Sequence, residues 1–230
     1  VTLPLLVSVP HAGLVVPPEA TPYCILSPED IAKDGDEGAA ETFDLADHVA
    51  EYVTTDIARA IVDLNRARDD RRPDGVVKTH TCWNVPVYRP FPPDDVIESL
   101  LTSYYHPYHV RLTEAARSEV RLGVDCHTMA AVGPPIGPGA GVERPWTCLS
   151  NADGTCPDEW IRSLATCFEQ AFEHPASINH PFKGGYITRT HAAEMPWVQL
   201  ELSRAPFMSN AEKRARVIEA LRRWCTGLGK

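Results

Sequence analysis

The chain contains no long apolar run: none of its hydrophobic stretches approaches the roughly 18–20 residues needed to span a bilayer, so no transmembrane segment is expected. A basic block is missing too. Lysine and arginine number 22 against 31 aspartates and glutamates, a formal net charge of −9. That balance is unsuited to gripping nucleic acid or an anionic membrane, and neither partner is expected. The opening Val1-Thr2-Leu3-Pro4-Leu5-Leu6-Val7 has no basic region before it and does not read as a signal peptide. Seven cysteines include no CxxC pair, and their odd number argues against a disulfide framework or a structural zinc knuckle. Reduced thiols in a cytoplasmic protein are the simplest reading. Internal repeats and low-complexity tracts are absent as well.

What is present is an ordinary globular composition, 43% hydrophobic and 23% charged over 230 residues. At roughly 100–200 residues per domain, residues 1–230 are expected to form a single catalytic domain. The 21 prolines cluster in Val16-Pro17-Pro18, Pro90-Phe91-Pro92-Pro93 and Gly133-Pro134-Pro135-Ile136-Gly137-Pro138-Gly139. These read as loops, the last long enough to be a flap beside a site. Between the loops, residues 5–9, 60–64, 123–126 and 198–202 are short apolar runs that predict buried strands. Helical periodicity covers residues 41–53, 96–105 and onward through 120, 158–172, and 211–228. In the last, Asn210 is the expected N-cap, and Val217, Leu221, Trp224 and Leu228 share a face. Strands alternating with helices predict an α/β sandwich around a mostly parallel central sheet. Sites on such sheets gather beyond the carboxyl ends of strands.

Four of those ends are polar. The first strand runs into Ser8-Val9-Pro10-His11-Ala12-Gly13, presenting an imidazole. The third contains Asp125-Cys126-His127-Thr128-Met129, where period-two alternation puts Asp125 and His127 on one side and Cys126 on the other. A carboxylate so placed can orient a metal-ligand histidine. Val62-Asp63-Leu64-Asn65-Arg66 offers an amide and a guanidinium, the latter suited to two-point recognition of a carboxylate. In the last strand, Gln199, Glu201 and Ser203 share one side. A glutamate there must face water or a functional cavity, and a general base is one use for it. Singly, each feature has a plain structural explanation: a surface histidine, a solvated sheet face, a charged loop from Arg66 to Arg72. His48, His80, His106, His174, His180 and His191 read as structural or surface groups.

Taken in order, these segments resemble the N-formylglutamate amidohydrolase family. The match is carried by Ser8-Val9-Pro10-His11-Ala12-Gly13, Asp36-Glu37-Gly38-Ala39, Val62-Asp63-Leu64-Asn65-Arg66 and Pro107-Tyr108-His109. It continues through Asp125-Cys126-His127-Thr128-Met129, Phe182-Lys183-Gly184-Gly185-Tyr186-Ile187-Thr188-Arg189 and Gln199-Leu200-Glu201-Leu202. The resemblance implies a three-layer α/β sandwich with a mixed central sheet, similar to zinc carboxypeptidases and aspartoacylases. It implies zinc held by His11, His127 and an acidic residue, Asp36 with Glu37 as its rival. Glu201 falls where the aspartoacylases carry their catalytic glutamate. Asn65 and Arg66 match a substrate-binding segment, Arg189 is a second candidate for a substrate carboxylate, and His109 is expected to line the pocket. The implied reaction is hydrolysis of a small anionic N-acyl amino acid such as N-formyl-L-glutamate. Other N-acyl amino acids or small peptides, or metal-dependent binding without turnover, are the alternatives.

Two segments depart from the family pattern. Asp36-Glu37-Gly38 stands where members acting in histidine degradation carry Asp-Trp-His, and the stretch between Ile187 and Gln199 is short. Pocket loops set acyl and side-chain preference, so these departures bear on the substrate more than on the chemistry.

Overall fold

A computed structural model describes residues 2–136 and 139–227 of the chain. Leu228 and the Gly137-Pro138 step of the proline-rich loop lie outside them. Six strands form one sheet: β1 (Leu3–Val9), β2 (Val49–Thr54), β3 (Leu122–Met129), β4 (Thr147–Ser150), β5 (Ala176–Ile178) and β6 (Trp197–Ser203). Their order is β2-β1-β3-β6-β4-β5. The first four in that order run parallel, whereas β4 lies antiparallel to β6, so the sheet is mixed.

Helices cover both faces. On one, α2 (Ala39–Thr42), α5 (Asp158–Phe172) and α7 (Asn210–Gly227) pack over Leu5, Val7, Val124, Cys126, Val198 and Leu200. On the other lie α1 (Pro28–Asp34), α3 (Asp94–Leu100), a π-helical turn (Leu101–Tyr105), α4 (His106–Ala115) and α6 (Tyr186–Thr190), with Leu6 and Trp197 in the core beneath them. Every residue of β3 and β6 is buried. Successive side chains of a strand serve opposite faces, so both layers draw on the same two strands. Gly123 of β3 is needed where it stands: a Cβ there would fall 2.3 Å from the ring of Trp197 on β6.

Four expectations are corrected. Residues 60–64 are not a strand. Ile61 and Val62 donate backbone hydrogen bonds to Ala58 O in a tight turn, and Asp63 N bonds to Val76 O, leaving a buried irregular segment. A short apolar run signals burial, not conformation. The helix expected over residues 41–53 breaks into α2 and β2: Val49 and Val53 turn inward with strand alternation. The N-cap of α7 is Ser209, not Asn210. Ser209 Oγ accepts from Glu212 N at 3.3 Å while Glu212 Oε2 accepts from Ser209 N at 2.8 Å, a reciprocal capping box. The helix expected to run through Val120 ends at Ala115. Among the described residues, no helix is long and apolar enough to cross a membrane.

Candidate active site

The strand order sets β1, β3 and β6 side by side and parallel, so their carboxyl ends share an edge. His11 lies two residues beyond β1, and His127 in β3 is the register partner of Glu201 in β6. Asp36 arrives from α1. Ser27 and Asp30 start that helix with a capping box, Pro28 occupies its first turn, and Gly35 closes it. Asp36 N then bonds to His11 O at 3.3 Å.

The three side chains converge. Asp36 Oδ2 lies 3.0 Å from His127 Nδ1 and 3.5 Å from His11 Nδ1, and the two Nδ1 atoms are 3.2 Å apart. Each ring is held from behind. His11 Nε2 donates to Asp63 Oδ1 at 2.8 Å, and His127 Nε2 donates to Asp125 Oδ2 at 2.9 Å. Those bonds place a donor on each Nε2 and turn both Nδ1 atoms toward one point beside a carboxylate oxygen. Such a constellation suits a cation, and carboxylate-backed imidazoles are the usual support of a metal ligand. His11, Asp36 and His127 therefore form a buried group able to hold a metal ion. Glu37, the rival third ligand, is exposed; it meets the site only through its backbone carbonyl, which accepts from Thr128 Oγ1 at 3.0 Å.

Electrostatics follow from this crowding. Burial pushes the Asp36 carboxyl upward, but His11 and His127 outweigh it and hold it well below the usual carboxylate range. Burial likewise opposes a charged His127, yet Asp125, Asp36 and Glu201 hold its pKa well above the ordinary imidazole value. Glu201 is shifted upward by burial, against the pull of His127 and with a further push from Asp36. Its Oε1 accepts from Gln199 Nε2 at 2.7 Å, and Gln199 Oε1 accepts from Gly185 N at 2.5 Å.

Beneath the triad lies a charge hub that the sequence reading did not isolate. Asp63 is fully buried. Its Oδ1 takes His11 Nε2 and, at 3.0 Å, Asn65 N; its Oδ2 takes Arg59 Nε at 3.1 Å, with Lys78 Nζ at 3.6 Å. Arg66, His11, Arg59 and Lys78 together overcome burial and depress its pKa strongly. Lys78, itself buried, also donates to Asp34 Oδ2 at 2.8 Å. A lone carboxylate between Val62 and Leu64 was the available signal, because a buried charge must find partners.

The anticipated residues divide into two groups. His11, Asp36, His127, Glu201, Asn65 and Arg66 all line one cleft of about 450 Å³. Asn65 is a buried strut: Oδ1 accepts from Ile187 N at 2.8 Å and Nδ2 donates to Asp125 Oδ2 at 3.4 Å. A Cβ on Gly185 would lie 2.3 Å from that Nδ2, so only glycine fits beside it. Arg66 donates from Nε to Asp74 O and from Nη1 to Asn65 O.

His109 and Arg189 are not among the lining residues. His109 Nε2 donates to Leu64 O at 3.1 Å, and its Nδ1 lies 2.9 Å from His191 Nε2. Burial, and then the charge of His191, lowers its pKa to about 4. Its ring stacks on that of His191, whose Nδ1 meets Glu194 Oε2 at 2.9 Å. This pair props the backbone under Asn65 from outside the cleft. Arg189 points back at its own loop, donating to Lys183 O and Gly184 O. Arg144 and Arg204 line the cleft instead. Arg204 directly follows the polar end of β6, which was the signal for it.

A mixed α/β sheet carrying a His/Asp/His group and a buried carboxylate at one edge has the parts of a metal-assisted hydrolase. Comparison with known proteins supports a hydrolase of the amidohydrolase type. The sequence model of the N-formylglutamate amidohydrolase family matches residues 3–208. The N-formylglutamate deformylase of Pseudomonas putida is 27% identical over 227 residues, covering 91% of this chain and 84% of that protein. The N-formylglutamate deformylase of Pseudomonas aeruginosa is 26% identical, covering 96% and 89%. A crystal structure of N-formylglutamate amidohydrolase from Ralstonia eutropha JMP134 overlays with a TM-score of 0.81 at 20% identity, over 99% of this chain and 93% of that one. A gene product of Agrobacterium tumefaciens overlays with a TM-score of 0.76 at 17% identity, over 99% and 92%. The chain belongs to the N-formylglutamate amidohydrolase family.

Proposed function

We propose that residues 1–230 form one catalytic domain that hydrolyses N-formyl-L-glutamate to formate and L-glutamate. The observation that carries this reading is the placement of buried Glu201 beside the His11–Asp36–His127 group in a single cleft. Family membership and the names of the two Pseudomonas relatives support the substrate. His11, Asp36 and His127 would hold zinc, a metal that suits two imidazoles and a carboxylate with an open fourth position. Bound there, zinc supplies Lewis acidity toward water and the substrate carbonyl.

Glu201 takes the proton of the attacking water, and its raised pKa makes it a stronger base than an exposed glutamate. The water oxygen bonds to the formyl carbon, the C–N bond breaks, and Glu201 returns the proton to the departing amine. Gln199 holds Glu201 in place and ties it to Gly185. Asp63 and Asp125 fix the tautomers of the two histidines. Asn65 keeps Asp125 and the 185–187 turn in register, and Arg66 adds positive potential at the cleft wall.

The test is formate and glutamate release from N-formyl-L-glutamate by zinc-loaded protein. Glu201→Gln should keep its metal and lose roughly 10²- to 10⁴-fold in kcat, the ordinary worth of a positioned base. Activity within twofold of wild type would remove Glu201 from the mechanism, and a wild type inert toward the substrate would remove the reaction itself. Trp83, Ile136 and Phe182 give part of the cleft an apolar wall, which favours a second reading in which a longer N-acyl chain is accepted. N-acetyl- and N-succinyl-L-glutamate in the same assay separate the two.

A further inference from the structure

Six cationic side chains line the cleft, and they are unequally engaged. Arg59 is paired with Asp63 at 3.1 Å, and Lys78 with Asp34 at 2.8 Å. Arg66 spends Nε and Nη1 on backbone carbonyls and has Asp74 Oδ2 at 3.5 Å from Nη2. Lys183 is exposed on its loop. Arg204 differs from these, because its Nε is buried without a hydrogen-bond partner.

Its backbone leaves little freedom. Arg204 N donates to Met129 O at 2.8 Å, extending the β3–β6 pairing one step beyond Ser203. Arg144, also on the cleft wall, is pinned by its own N–H to Ala131 O at 2.8 Å and sets its guanidinium 4.9 Å from the Phe182 ring. The two guanidiniums feel each other: burial, and then the charge of Arg204, presses the Arg144 pKa down against the pull of Glu201. Arginine does not deprotonate in proteins. Two like charges at the end of β6, one with an unmet buried donor, therefore suit an anion. Arg204 lies three residues past Glu201, about 10 Å along an extended chain at ~3.3 Å per residue. A long side chain covers that gap toward a substrate whose amide sits at Glu201.

We infer that Arg204, with Arg144 beside it, anchors a carboxylate of the substrate and makes the site a reader of dicarboxylates. This rests on the amidohydrolase reading and assigns to Arg204 the role that Arg189, outside the cleft, does not fill. Guanidinium–carboxylate pairs form two parallel hydrogen bonds, which lysine cannot reproduce.

The test compares wild type, Arg204→Ala and Arg204→Lys on three formamides: N-formyl-L-glutamate, N-formyl-L-glutamine lacking the side-chain carboxylate, and 4-formamidobutanoate lacking the α-carboxylate. Arg204→Ala should lower kcat/KM for the dianion on the order of 10- to 100-fold, the range for a charged hydrogen bond. For whichever truncated substrate lacks the carboxylate that Arg204 holds, the change should stay within about twofold. Arg204→Lys should recover part of the loss. An equal loss on all three, or none on any, would overturn the assignment. Calorimetry with glutarate and butyrate keeps the inference separate from the reaction. Wild type should bind glutarate more tightly, and Arg204→Ala should lose that difference. A glutarate preference without turnover would sink the deformylase reading and leave the anchor standing. Turnover with an Arg204-independent preference would do the reverse.

Discussion

Replacing Asp63 by Asn tests how the metal-ligand geometry is held. The substitution keeps shape and removes one charge. Wild-type Oδ1 accepts from His11 Nε2 and Asn65 N, while Oδ2 faces Arg59 Nε, Lys78 Nζ and, at 3.8 Å, Arg66 Nη1. An asparagine has one oxygen for these two sets of donors. If the oxygen stays with His11, the amide N–H₂ meets Arg59 and Lys78; if it flips, the N–H₂ meets His11. Breaking a buried ion pair by removing one partner costs about 3–5 kcal/mol. For a chain of this length that lowers Tm by roughly 6–20 °C. The same change loosens His11, so zinc affinity should fall on the order of 10- to 100-fold, as for other outer-shell carboxylates. Thermal unfolding of chelated and zinc-loaded protein, with zinc titration against a competing chelator, reads both effects. A variant within 1–2 °C of wild type (well inside the ~6 °C floor) and with unchanged zinc affinity would refute the hub's role.

Two further outcomes are expected. Gly123→Ala forces a Cβ to 2.3 Å from the Trp197 ring, far from the catalytic groups; overpacking of this kind costs about 1–3 kcal/mol, so Tm should fall by roughly 2–12 °C with zinc content unchanged, and an unshifted Tm would contradict the packing. In chelated protein, the stabilisation from protonated His127 is complete below its unfolded pKa of about 6.5 and is lost as pH rises through its raised folded value. Its Tm should therefore fall from pH 6.5 upward while that of zinc-loaded protein does not, and a flat profile for the chelated form would contradict the arrangement.

Much of the site was legible because strand alternation is rigid. Asp125 and His127 on one side of Cys126, and Gln199 with Glu201, needed only a period of two, and β3 and β6 obey it. The short run at 60–64 misled, since hydrophobicity reports burial and this segment is buried as a turn held by Ala58 O and Val76 O. The stretch 41–53 misled differently, because two short elements in succession mimic one helical period. What stayed hidden is long-range. Lys78 meets Asp63 and Asp34 only through tertiary folding. Arg189 was a candidate by motif, and a short helix turns it back onto its own loop.

The central claim is that His11, Asp36 and His127 form a metal centre, and metal content measured by plasma mass spectrometry on wild type and His127→Ala tests it directly. The account predicts about one zinc per wild-type chain, as expected of a single three-ligand site, and its loss in the variant. A wild type that carries no metal and takes up none on adding zinc would contradict it.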